Sequence, residues 1–114
     1  MLLDAPEDGR DPLGPVVTAD GSPHYIAGDM ARCRLWLEPA AAVTAYEDVL
    51  RDWPREHVRD GGLERARLAL ACATAGELDR AKAEGRKALA IARTTKSSLA
   101  ARELRRLREL LAVA

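Results

Sequence analysis

No phenylalanine occurs in this chain, and tryptophan and tyrosine supply two residues each, so aromatics make up only 4% of it. A core without large rings has to be built from alanine and leucine. Alanine is the strongest helix former, so the shortage itself leans toward helices packed closely on small side chains. Metal and redox chemistry is equally short of material. The two cysteines, Cys33 and Cys72, and the two histidines, His24 and His57, are scattered along the chain. No C-x-x-C pair and no Cys/His cluster is present, whereas a zinc site needs three or four converging ligands. Phosphate-cradling glycine loops and the H-E-x-x-H helix are absent too. No nucleophile paired with a base can be read. The expectation is therefore a non-catalytic protein with no metal and no cofactor.

Long apolar runs are also lacking. None approaches the roughly 20 residues that span a bilayer. The start, Met-Leu-Leu-Asp, has neither the basic nor the apolar region of a secretory signal. Both cysteines fall in apolar helical stretches and read as reduced, inward-facing small hydrophobes, which fits a cytoplasmic protein. Lysine is scarce, with Lys82, Lys87 and Lys96 the only examples. Together with the alanine excess, this resembles the bias of a high-GC bacterial genome.

What is present suits one globular domain: 114 residues, 47% apolar and 32% charged. Net charge is zero, but it is unevenly placed. Residues 1–79 hold 8 basic and 15 acidic side chains, a balance of −7, and residues 80–114 hold 10 and 3, a balance of +7. Such asymmetry is a mark of contact with nucleic acid or an acidic partner, or of basic residues crowding exposed helix faces.

Residues 1–24 form an acidic leader carrying Pro6, Pro12, Pro15 and Pro23 among several glycines. Proline and glycine oppose helix there, and a flexible segment with a brief extended stretch at Val16-Val17 is expected. From Tyr25 the pattern turns helical over a domain at 25–114. Tyr25, Ile26, Met30, Cys33 and Leu37 recur at helical steps and predict one inward stripe. Pro39 suits the first turn of a second helix, whose apolar face holds Val43, Tyr46, Val49, Leu50 and Trp53 until Pro54 stops it. These two helices make a hairpin over 25–54.

A polar connector ending in Asp60-Gly61-Gly62 leads to a second hairpin over 62–94. Its first helix turns Ala66, Leu70 and Ala73 inward, with Leu68, Ala69 and Cys72 widening the face. Gly76 supplies the positive φ that ends it. Its second helix turns Leu78, Ala81, Gly85, Ala88, Leu89 and Ala92 inward. Ser97 or Ser98 is a fair N-cap for a last helix at 97–113. That helix carries Ala100, Leu104, Leu107, Leu110 and Leu111 on one side and Arg102, Arg105, Arg106 and Arg108 on the other.

Sliding the second hairpin onto the first by 39 residues superimposes Cys33 on Cys72, Ala42 on Ala81, Val49 on Ala88 and Leu50 on Leu89. An internal repeat of this kind signals stacked helical hairpins. The residues resemble a tetratricopeptide repeat: Met30, Cys33, Ala42, Tyr46, Val49 and Pro54 fall on that motif's positions in the first unit, and Ala69, Cys72, Ala81 and Ala88 in the second. The string Ala75-Gly76-Glu77-Leu78-Asp79-Arg80-Ala81 resembles the turn between the motif's helices. Arg65 stands where the motif takes a large apolar residue, Gly85 where it takes an aromatic, and the first turn, Leu37-Glu38-Pro39, lacks its glycine. The repeat is also longer than the motif's roughly 34 residues.

The resemblance implies an all-α fold of about five helices, antiparallel hairpins stacked as a short solenoid with a C-terminal capping helix. The runs Arg65 to Ala71, Ala88 to Ala92 and Arg102 to Leu107 are further similar to the last repeat and tail of bacterial regulators that join a helix-turn-helix of the xenobiotic-response-element type to C-terminal repeats. No helix-turn-helix motif is present, so the resemblance implies the sensor or scaffold part, binding a protein or peptide. Trp36, Leu107 and Leu111 are the candidate contact residues, with self-association among the expected partners because two hairpins leave apolar ends uncovered. Arg102, Arg105 and Arg106 are the candidates for the alternative, a small nucleic-acid-binding protein working through its basic last helix.

Overall fold

The computed structural model describes residues 23–113, and the expected leader and its Val16-Val17 stretch lie outside them, but for its last two residues. Among the described residues there are five helices and no strand: α1 (Pro23–Arg34), α2 (Pro39–Arg51), α3 (Val58–Thr74), α4 (Leu78–Thr95) and α5 (Ser98–Val113). Prolines open α1 and α2, where the missing N–H has no intrahelical partner to lose. Gly76 closes α3 at φ 86°; Glu77 N–H then reaches Cys72 O at 2.8 Å and Gly76 N–H reaches Ala73 O at 3.1 Å, the paired bonds of a glycine C-cap. Lys96 performs the same reversal after α4 at φ 55°. Ser97 then caps α5, its Oγ accepting from Ala100 N–H at 3.1 Å.

Helices joined by three or four residues and packed along one another must reverse direction, so α1–α2 and α3–α4 are hairpins. The long α3 is the axis of the molecule, packing against α2, α4 and α5. From Gly61 to Cys72 every residue of it is buried except Arg65. Ala66, Ala69, Ala71 and Cys72 are inaccessible, as are Ala81 and Ala88 of α4 opposite. Tyr46 of α2 and Leu70 of α3 are the largest fully buried side chains. Alanine-rich faces thus take the place of aromatic packing.

Three expectations need correction. Gly61-Gly62 does not end a connector; it lies inside the first turns of α3. A Cβ on Gly62 would sit 2.5 Å from Ile91 Cγ2 of α4, and one on Gly61 2.8 Å from the Trp53 ring. The glycines are there for close approach, which outweighs their weak helix propensity of about 1 kcal/mol each.

The inward stripe of α1 is also wrong. Gly28, Ala31 and Leu35 are buried, while Ile26, Met30, Cys33 and Leu37 are exposed. The cause is the number of neighbours: α3 is packed by α2, α4 and α5, whereas α1 packs chiefly on α2, so among the described residues only its Gly28 and Ala31 side is covered. Third, Leu89 is 38% exposed rather than inward, and Leu50 is only partly buried.

Candidate interaction groove

Helix α5 packs on both α3 and α4. Leu107 enters the core at 5% exposure, filling the space left by the missing side chain of Gly85; a Cβ there would lie 2.7 Å from Leu107 Cδ2. Leu107 is therefore a packing residue and not a free contact residue. The other leucines of α5 are less fully used. Beside Leu107 runs an open groove between α4 and α5, about 590 Å³ in volume, with Gly85, Leu89, Leu104 and Leu111 among its walls. Its charged edges are all cationic: Lys82 and Arg86 from α4, Arg105 and Arg108 from α5. None of the four pairs with an acid among the described residues, and no acid lines the groove.

Arg65 Nη1 of α3 meets Glu84 Oε1 of α4 at 2.7 Å, and Arg80 of α4 reaches Glu47 of α2. Helix α3 packs against both α4 and α5, yet none of its residues lines the groove.

The sequence candidates separate on this map. Leu111 and Arg105 line the groove; Arg102 does not. Arg106 points elsewhere, its guanidinium 5.4 Å from the Trp36 ring centroid and 3.3 Å from Glu103 Oε1. Trp36, half exposed in the α1–α2 turn, is thereby held against α5 through a cation–π contact. Trp53 lies just past α2, with Nε1 donating to His57 O at 2.8 Å and the Tyr25 ring tilted against it at 5.1 Å. His24 lies on α1 rather than in the leader, edge-on to Trp53. Among the described residues, no three His, Cys, Asp or Glu side chains gather as metal ligands.

Sequence reasoning overlooked a buried polar joint. Glu64 and Arg67 of α3 sit among apolar residues at 5% and 8% exposure. Arg67 Nη1 lies 3.6 Å from Glu64 Oε2, and its Nε 3.5 Å from Glu103 Oε2 of α5. Glu64 abuts Gly28 of α1, where a Cβ would stand 3.0 Å from Oε2. Burial pushes the Glu64 carboxyl up to about 7, against the opposing pull of Arg67. The Tyr46 hydroxyl is raised above its ordinary value, again mainly by burial. Glu64 Oε1, Arg67 Nε and Tyr46 OH have no hydrogen-bond partner among the described residues. The joint lines neither the α4–α5 groove nor the smaller concavity between α1 and α2; its contacts link α3 to α1 and α5. The one signal for it is an i,i+3 Glu–Arg pair on α3, the helix with the most buried residues.

No family model, curated protein or solved structure matches the chain. No described helix is long and apolar enough to cross a membrane.

Proposed function

We propose that the chain is a non-catalytic, tetratricopeptide-like interaction module, the scaffold or sensor part of a bacterial transcriptional regulator, and that it binds a helical protein segment in the α4–α5 groove. The observation that carries this reading is the groove itself: apolar walls, four cations at its edges that pair with no acid among the described residues, and no acid in its lining. Such a surface suits an amphipathic helix with leucine-like residues on one side and carboxylates along its borders. Helix α5, seated on α3 and α4, is the internal example of a helix packed on a hairpin.

The basic last helix as a nucleic-acid reader is less well supported. Arg106 is engaged by Trp36 and Glu103, and the walls between the remaining cations are apolar where phosphates require donors.

Fluorescence anisotropy with two labelled peptides tests the reading. Both carry the same leucine stripe, one bordered by glutamates and the other by lysines. The glutamate peptide is expected to bind, at least tenfold more tightly than the lysine peptide, and to be lost in the double variant Leu89→Glu, Arg108→Glu with its melting temperature unchanged. Salt-dependent binding of labelled duplex DNA, with no binding of either peptide, would overturn the reading in favour of nucleic acid.

A further inference from the structure

Helices α1, α2, α3 and α5 meet around Glu64 and Arg67. The Glu64 carboxyl is buried and lies against the backbone of α1 at Gly28, where a Cβ would stand 3.0 Å from Oε2, 3.1 Å from Cδ and 3.2 Å from Oε1. It is poorly partnered. Arg67 Nη1, at 3.6 Å from Oε2, is beyond hydrogen-bond length, and Oε1 has no partner among the described residues. Arg67 is also shared with Glu103 of α5. The other charges acting on the carboxyl are Asp29 and Arg32 of α1 and Asp60 of α3. The Tyr46 hydroxyl of α2 feels Glu64 in turn, while α4 pairs its Glu84 with Arg65 instead. Cations and anions around Glu64 thus nearly offset one another, and burial decides its state.

Of the helices that enclose the carboxyl, α1 is the least firmly held. Helices α2, α3 and α5 put Tyr46, Leu70 and Leu107 into one core cluster, whereas α1 packs chiefly on α2 and buries only Gly28 and Ala31. Its remaining ties gather at one end. Tyr25 O–H donates to Asp60 Oδ2 at 2.6 Å, the Tyr25 ring lies against Trp53 and His57, and His24 is edge-on to Trp53. Water therefore reaches Glu64 most cheaply by a movement of α1, a local opening that leaves the core intact.

We propose that α1 is a proton-operated latch: a proton on Glu64 keeps α1 seated on α2 and α3, and its loss favours a state in which α1 lifts at Gly28 and the carboxylate is wetted while α2–α5 stay folded. Burial pushes the carboxyl up from 4.5 to about 7 in the closed state. Closing is therefore fully favoured below about pH 4.5 and loses ground as pH climbs to about 7. The latch is independent of the α4–α5 groove, which no residue of α1 lines.

Hydrogen exchange of the full chain, read by mass spectrometry over a pH series and corrected for the intrinsic rate at each pH, tests the latch. Protection of α1 amides is expected to fall by about tenfold per pH unit between about 4.5 and 7 and to level off above. It should depend only weakly on urea, because the opening exposes one helix, while α3 amides stay better protected and respond to urea steeply. In Glu64→Gln, which keeps the shape but cannot ionise, α1 protection should no longer vary with pH. The double variant His24→Gln, His57→Gln, which removes the two imidazoles at the seam, should retain the wild-type dependence, and it remains readable should Glu64→Gln fail to fold.

Protection of α1 that is independent of pH in the wild type overturns the proposal, since the carboxyl is then wetted without α1 moving. So does exchange of α1 and α3 at one rate with one urea dependence, which belongs to unfolding of the whole chain. A pH dependence that survives in Glu64→Gln, or vanishes in the histidine variant, overturns it as well and assigns the effect to other groups at the seam.

Discussion

The two hairpins carry similar sequence patterns and use them in opposite ways. In α3 and α4 the small residues at matching positions, Ala69, Cys72, Ala81 and Ala88, are all inaccessible. In α1 the aligned residues Met30 and Cys33 face outward, although their partners in α2, Ala42, Tyr46 and Val49, are buried as the spacing demands. The difference lies in the neighbours: α3 packs against α2, α4 and α5, and α1 chiefly against α2. It shows that apolar periodicity fixes the existence of a helical face, while the helices packed around it decide what that face meets.

The contrast is broken most severely at the axis. Leu70→Ala in α3 is expected to destabilise by about 2–5 kcal/mol, the range for emptying a packed leucine site. Met30→Ala in α1 should stay within about 0.5 kcal/mol, as for other exposed positions. Urea unfolding of the two variants measures the gap, and equal losses would mean that α1 buries its stripe after all.

The polar joint gives the next largest effect. The Glu64 carboxyl is raised from 4.5 in the free side chain to about 7 in the fold. Its protonated form is therefore the one the folded chain favours. The associated stability is fully present below about pH 4.5 and is lost as pH rises through about 7, a change on the order of 3 kcal/mol from the size of the shift. Glu64→Gln keeps the shape without the charge. It should raise the melting temperature at pH 8 and change it little at pH 4.5. A loss of stability at pH 8 would instead make the Glu64–Arg67 pair a net stabiliser.

Close packing between the hairpin helices comes next. Gly62→Ala drives a methyl toward Ile91, and Ala81→Leu enlarges a side chain with no exposed surface. Each is expected to destabilise by about 1–3 kcal/mol, read as a lowered midpoint in thermal or urea unfolding. An unchanged midpoint for Ala81→Leu would show that α3 and α4 are not tightly apposed there.

The smallest perturbation separates the two ends without altering stability. Both cysteines were expected to be inward, yet Cys33 is exposed and Cys72 buried. Burial also pushes the Cys72 thiol up to about 11. Under native conditions at pH 8 and low protein concentration, one thiol should alkylate rapidly and the other only on unfolding, with peptide mapping assigning the fast one to Cys33. Two slow thiols would restore the inward stripe.

Much of the fold was legible because helix signals are local. Pro39 and Pro54 bracket α2, Gly76 ends α3, and Ser97 caps α5, each through an effect confined to one turn of backbone. Gly61-Gly62 misled because glycine pairs normally mark loops; only the nearness of Trp53 and Ile91 shows why they sit in a helix. The groove was half legible. Leu111 and Arg105 were singled out, but Leu89 was assigned to the core and Lys82 and Arg86 were not among the candidate contact residues, because their relation to α5 exists only once α4 and α5 have packed. Glu64 was hidden for a related reason: a charged residue reads as solvated unless the packing around it is known.

By itself, then, the sequence determined that the chain is helical, where most helices start and stop, and that its core is alanine and leucine. Those outcomes follow from backbone propensity, capping and side-chain size within a few residues. The tertiary structure alone decided that the α1 stripe faces outward, that Leu107 is core while Leu89 walls a groove, and that a glutamate lies buried beside Tyr46. Those outcomes depend on which helices pack around each face, and the apolar pattern of a single helix does not specify that.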